Sequence, residues 1–319
     1  MQGLGLFTPV IIPSSGVKIN HKDKILSLGS CFSDNIGHRL KNAGFNVHIN
    51  PFGTIFNSHS LANILDSINN PEYIVNEAMF QNNSDGQVFH FDYTSKLNCD
   101  TKEDYCKNLK NIVNEIEDID ILLITLGTSY VYELQSVGNI VANCHKQNQN
   151  LFNKTLLSTD YQYEKLHSTI KQLKTRNEHL RKVVVTVSPV RHTKDGMVEN
   201  TRSKARLLEV CHRLVESDDL FEYFPSFEIM IEELRDYRFY CRDLIHPNDL
   251  AIDIIWEKFS QSNFNLETIT ISLQMENYNQ LKRHIPMSQS GKEAQLKKLI
   301  SMQEVLIQKY PDLNFDKRF

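Results

Sequence analysis

Residues Ile25–Leu40 read ILSLGSCFSDNIGHRL, and the order of residue types in them decides the fold. An apolar run ends at Gly29, the small pair Ser30-Cys31 follows, and a helical pattern begins. A strand that turns through glycine into a helix aims a side chain at the helix N-terminus. Unpaired N–H groups and the positive end of the helix dipole lie there. An acyl-transfer enzyme places its nucleophile and stabilises its oxyanion in such a position. Two neighbouring atoms qualify, Ser30 Oγ and Cys31 Sγ.

Outward from this stretch, short apolar runs at Lys24–Leu28, Phe45–Ile49, Ile121–Leu126 and Lys182–Val187 read as buried strands. Helical patterns separate them at Ser33–Ala43, Ser58–Asn69, 102–117, Tyr161–Arg181, Thr201–Ser217 and Asp249–Phe259. Strands alternating with helices imply βαβ units and a mostly parallel sheet, an α/β fold in three α/β/α layers. Residues 1–260 read as one domain with an N-terminal strand and insertions at 72–100 and 135–158. The second insertion carries the hairpin signal Gly138-Asn139. Residues 261–319 read as a C-terminal extension packed on the domain, running from a Thr/Ile-rich strand-like piece into the helix Gly291–Tyr310 and positioned to cover the site.

The 319 residues carry 35 basic and 39 acidic side chains, a formal charge of -4. Such a balance does not support nucleic acid or an anionic membrane surface as a main partner. No apolar run reaches the ~20 residues of a membrane span. The segment MQGLGLFTPV has no basic region, long apolar stretch or cleavage site. The six cysteines form no CxxC pair, so reduced thiols and a cytoplasmic location are expected. Cys144 and His145 match no closed zinc spacing, and neither metal nor other cofactor is expected. Oligomeric state is left open.

Ligands bind beyond the carboxyl ends of parallel strands. Polar words follow four of them: Gly29-Ser30-Cys31, Asn50-Pro51-Phe52-Gly53, Gly127-Thr128-Ser129 and Ser188-Pro189-Val190-Arg191-His192. A fifth, Asp243-Leu244-Ile245-His246, precedes the helix at Asp249. Asp and His three residues apart on a loop form an orienter-and-base pair for a Ser or Cys nucleophile. The plain alternative is a turn cap followed by an ordinary loop histidine. Arg191, Asn200 and Lys204 near the same edge suit an anionic substrate group. His145 and Lys146 suit a carboxylate or phosphate. His90 and Asp92, alternating with aromatics in FHFDY, read as rim residues.

The blocks ILSLGSC, Gly53, GTS and DLIHP resemble, in order, those of the SGNH/GDSL hydrolases. The closer resemblance is to the GSCFA-domain family, through Gly29-Ser30-Cys31-Phe32-Ser33, NPFGTIFN (Asn50–Asn57), NCHK, VSPVRH, ENTRSKA and DLIHPND. The resemblance implies an SGNH-like, flavodoxin-like fold. It also implies an acyl esterase, thioesterase or acyltransferase with Asp243 and His246 as partners of the nucleophile. Register places Cys31 at the nucleophile and Ser30 at the preceding acid. A thiol at a helix N-terminus near His246 is expected to have a lowered pKa. The oxyanion donors implied are the nucleophile's N–H, the Gly53 N–H and, in place of the family's Asn, Ser129, with Asn57 as a substitute. His192 joins the substrate-facing set. The implied substrate is a small-molecule or glycan acyl ester. The rival reading is a catalytically weak or inactive module holding a polar or glycan-type ligand in the same pocket.

Overall fold

The computed structural model describes residues 8–70, 76–116 and 118–315. β1 (Lys24–Gly29) is buried from Ile25 onward and passes through Ser30 into α1 (Cys31–Asn42). Ser30 keeps an extended backbone and its Oγ accepts the Phe32 N–H, so the N-cap sets the helix start at Cys31. β2 (Asn46–Ile49) and α2 (Ser58–Asn69) follow. The first insertion holds a hairpin, β3 (Phe80–Asn82) and β4 (Val88–His90), and leads to α3 (Lys102–Glu115). After β5 (Ile121–Leu126), the second insertion forms an antiparallel sheet of β6 (Tyr130–Leu134), β7 (Asn139–Val141) and β8 (Phe152–Leu156). Gly138 supplies the positive φ of +71° that its hairpin turn requires. The chain continues through α4 (Thr159–Arg176), β9 (Lys182–Val187), α5 (Gly196–Ser217), β10 (Phe221–Tyr223) and the short α6 (Ser226–Glu228). It ends in α7 (Asp249–Asn263), α8 (Leu266–Arg283) and α9 (Gln289–Lys309).

The main sheet has the order β2-β1-β5-β9-β10, all parallel. Alternate residues of each strand feed two cores. Leu26, Leu28, Leu122, Ile124, Val183 and Val185 pack with apolar residues of α2 to α5. Ile25, Ile121, Leu123 and Val184 pack with α1 and α7 on the other face. A strand buried on both faces reads as a continuous apolar run, which is why the sequence marks β1, β5 and β9 so clearly. At about 1.5–3 kcal/mol for each large apolar side chain taken from water, these two cores dominate the fold's stabilisation. The order reverses between β1 and β5, so the crevice for a ligand opens beyond Gly29 and Leu126.

Three expectations are corrected. Residues 8–23 form no strand; the N–H groups of Ser15 and Ile19 donate to Ser262 O and Asn263 O at the end of α7. The Thr/Ile-rich piece after Asn263 is helical. Asn265 caps α8, and Thr268, Ile271, Ser272, Met275 and Tyr278 fall at helical spacing on its buried face, outweighing β-branched propensity. The described extension also docks away from Cys31. Asn279 Nδ2 and the Asn314 N–H donate to Asn42 O and Gly44 O, at the end of α1 about 18 Å from its start. No helix among the described residues is long and apolar enough to cross a membrane.

Candidate active site

The switch-point edge is built by backbone closure between strand ends. Gly29 has φ +138°, and a Cβ there would lie 2.2 Å from Thr125 O. The Ser30 N–H then donates to that same oxygen at 3.2 Å, locking the β1 turn against β5. Asn50, with φ +40°, ties in the second loop: its Oδ1 accepts the Gly29 N–H at 2.9 Å and its Nδ2 donates to Asp34 Oδ1 at 2.8 Å. The Ile55 N–H bonds Gly29 O, and the Gly127 and Thr128 N–H groups bond Phe56 O. The first three polar words therefore meet at one edge. Asn50 and Asp34 are organising residues that sequence reasoning did not single out; an Asn tolerant of positive φ ahead of Pro-x-Gly was the available signal.

Ser30 is 0% exposed and its Oγ accepts the cap N–H of Phe32, whereas Cys31 is half-buried. The Cys31 thiol is nevertheless pushed up, not down as expected. Burial is the largest cause and the Asp34 carboxylate the second, and together they outweigh the N–H groups of Cys31 and Phe32 and the charge of Lys204. The helix N-terminus does favour the thiolate here, and it loses to desolvation.

Asp243 and His246 pair at 2.7 Å through Oδ2 and Nδ1. The other carboxylate oxygen accepts the N–H groups of Ile245 (2.9 Å) and His246 (3.0 Å). The His246 hydrogen bond first, then these two N–H groups, hold the Asp243 carboxyl down at about 2. A donating Nδ1 leaves Nε2 as the acceptor, the tautomer a general base needs. The loop bends through Leu244 at φ +59°, a left-handed conformation uncommon for leucine. Arg191 fastens this loop to the β9 loop: its N–H donates to Ile245 O and its Nη1 to Leu244 O, while the guanidinium stacks 3.9 Å from the Tyr240 ring centroid. It is a brace in this structure rather than an open anion clamp.

Two of the three implied oxyanion donors are committed elsewhere. The Gly53 N–H donates to Asn50 O at 2.8 Å, and a Cβ on Gly53 would strike Thr94 Oγ1 at 1.8 Å. Ser129, fully buried, donates its hydroxyl to Ser203 O at 3.0 Å and pins α5 to the third loop. Asn57 Oδ1 caps α2, while its Nδ2 donates to no described group.

His192 is placed by Asn200, whose Oδ1 accepts the His192 N–H at 2.8 Å. Its Nε2 is buried with no hydrogen-bond partner among the described residues. Burial first, then Lys204, press its imidazole down to about 4, and His246 acts on it in the same sense. His192 is therefore neutral near pH 7, with its ring edge-on to Phe56. Lys204 is 1% exposed and donates to Gly127 O (2.8 Å) and Ser188 O (2.7 Å), the carbonyls just beyond β5 and β9.

The insertion words hold the insertion together. His145, at φ +47°, stacks on Phe89 with centroids 4.2 Å apart and its Nε2 meets Tyr93 O at 3.0 Å; Lys146 is exposed. Thr94 docks this insertion on Phe52 O. His90 and Asp92 are not rim residues. β4 ends at His90, and they are 0% and 6% exposed.

The profile of the GSCFA family matches residues 24–259, from the first residue of β1 into the last turns of α7. No curated protein matches the chain.

Proposed function

The chain belongs to the GSCFA family, and from that premise we propose that it cleaves or transfers acyl esters or thioesters with Cys31 as nucleophile. The observation that supports this reading is the Asp243–His246 pair, on a loop that Arg191 ties to the end of β9, together with a half-buried Cys31 and a fully buried Ser30 at the end of β1 in the same sheet. His246 Nε2 takes the thiol proton as Cys31 Sγ bonds to the acyl carbon. Asp243 holds the imidazole's tautomer and balances the imidazolium. The tetrahedral oxyanion faces the Cys31 N–H, with His192 Nε2–H and Asn57 Nδ2 as side-chain donors in place of the committed Gly53 and Ser129. Collapse expels the leaving alcohol or thiol, which recovers the proton from His246. Water or an acceptor alcohol then attacks the acyl-cysteine. A small-molecule or glycan acyl ester fits this chemistry.

A thiol pushed up by burial and two committed donors favour a second reading, a catalytically weak module that holds a polar ligand in the same crevice. Hydrolysis of p-nitrophenyl acetate by wild type, Cys31→Ala, Ser30→Ala and His246→Ala separates the two. The acyl-transfer reading expects Cys31→Ala and His246→Ala to lose at least about 100-fold in kcat/KM. Ser30→Ala stays within about tenfold and loses about 1 kcal/mol of stability with its cap. Equal low rates in all four proteins remove catalysis on this ester and favour the second reading.

A further inference from the structure

At the far end of α1 the C-terminal extension closes a second cavity, about 500 Å³ in volume. Its wall joins the last turn of α1, the last turns of α8 and the segment after α9, which Asn279 and Asn314 tie to Asn42 O and Gly44 O. Lys41, Lys282 and Arg283 line it, and no carboxylate does among the described residues. Arg39, in the same turn as Lys41, is paired with Asp253, whereas Lys41 and Arg283 have no acidic partner among the described residues. A cation in a last turn ordinarily answers the helix dipole, and that is the plain reading of each taken singly. Two helix C-termini meet here, at about half a negative charge each, against three full positive charges. The excess is about two positive charges, so the cavity holds a positive potential and not a balanced one.

We propose that this cavity is a nucleotide site, the phosphates held by Lys41, Lys282 and Arg283 and the base resting on Met275 and Phe315. The volume falls within the range of about 300–1,000 Å³ typical of small-molecule sites. Charge-assisted hydrogen bonds from Arg and Lys are the ordinary means of holding phosphate. The rest of the lining is apolar or amide. Met275 and Phe315 belong to it, and the Phe315 ring stands edge-on to Tyr278 with centroids 5.6 Å apart. The side-chain amides of Asn42 and Asn314 also line it and donate to no described residue. An amide offers one donor and one acceptor side by side, which matches the edge of a base. The site lies about 18 Å from Cys31 along α1 and goes beyond the acyl-transfer reading, sharing none of its residues.

Isothermal titration calorimetry of the full chain with ATP, adenosine and inorganic tripolyphosphate tests the site, in wild type and in the double variant Lys41→Gln, Arg283→Gln. ATP is expected to bind saturably, and adenosine and tripolyphosphate each at least about tenfold more weakly. The double variant, folded with the wild-type Tm, is expected to lose at least about tenfold in affinity for ATP. No saturable ATP binding, or equal affinity in the folded variant, overturns the proposal. Adenosine binding as tightly as ATP overturns it through the cations, and tripolyphosphate binding as tightly overturns it through the base. Should the variant not fold, photolabelling of wild type by 8-azido-ATP, read by peptide mass, takes its place. Label is then expected within 38–42, 275–283 or 314–315, and label elsewhere overturns the site. Alkylation of Cys31 by iodoacetamide is expected to keep its rate under saturating ATP. Protection of Cys31 would put the nucleotide at the strand ends and overturn the proposal.

Discussion

Asp92 shows at the residue scale how burial rewrites a side chain that the sequence presents as solvated. It is 6% exposed, and neither carboxyl oxygen accepts a hydrogen bond from a described residue. His90, 3.9 Å away, is pressed to about 4 by burial and supplies no charge near neutrality. Desolvation therefore pushes the Asp92 carboxyl up to about 6. The native state then binds more protons than the unfolded chain between about pH 4 and 6, and stability falls as pH rises through that window. Asp92→Asn is expected to stabilise the protein at pH 8 by up to about 3 kcal/mol and to change nothing at pH 4. Urea unfolding at the two pH values checks this; an equal effect at both removes the titration from the account. Cys31 follows the same rule: its position at the helix start is legible in Gly-Ser-Cys, but the desolvation that raises its thiol is not.

At the scale of elements, the site is a set of strand-to-loop turns held by backbone contacts. Gly29 is their keystone, because the approach of its Cα to Thr125 O leaves no room for a Cβ and its φ is left-handed. Gly29→Ala is expected to cost more than about 2 kcal/mol, a fall in Tm of at least about 4 °C, since β1 and β5 must separate. Circular-dichroism melting reads it, and an unchanged Tm would mean that the turn relaxes freely. Strand and helix periodicity made β1, β5, β9 and α2 readable. The same logic failed on α8, where the β-branched run ETITISL folds as a helix because the Asn265 cap and a buried stripe outweigh local preference. β10 escaped notice because three residues carry too little period.

Across the whole molecule, the C-terminal hairpin of α8 and α9 has its own small core of Ile271, Met275, Tyr278, Leu299, Leu306 and Leu313. It joins the domain over Gly44 and through the Trp256 Nε1 to Glu276 bond. Removal of residues 265–319 is expected to lower Tm by uncovering this seam while leaving the Cys31 alkylation rate within about twofold. A larger change in alkylation would mean that the extension reaches the crevice. The crevice itself belongs to the α/β/α body, where the order β2-β1-β5-β9-β10 reverses beside Cys31.

The sequence by itself determined the α/β class, the five polar words and their order, because strand burial on two faces and glycine turns leave marks in local residue types. The tertiary structure alone decided which polar atoms are free. Gly53 and Ser129 have the right types for an oxyanion hole, yet their donors are spent on Asn50 O and Ser203 O. Lys204 has the type of a solvated lysine, yet it lies beneath two strand ends with no carboxylate partner among the described residues. Hydrogen-bond partners and desolvation are set by residues far apart in the chain, so no local pattern carries them.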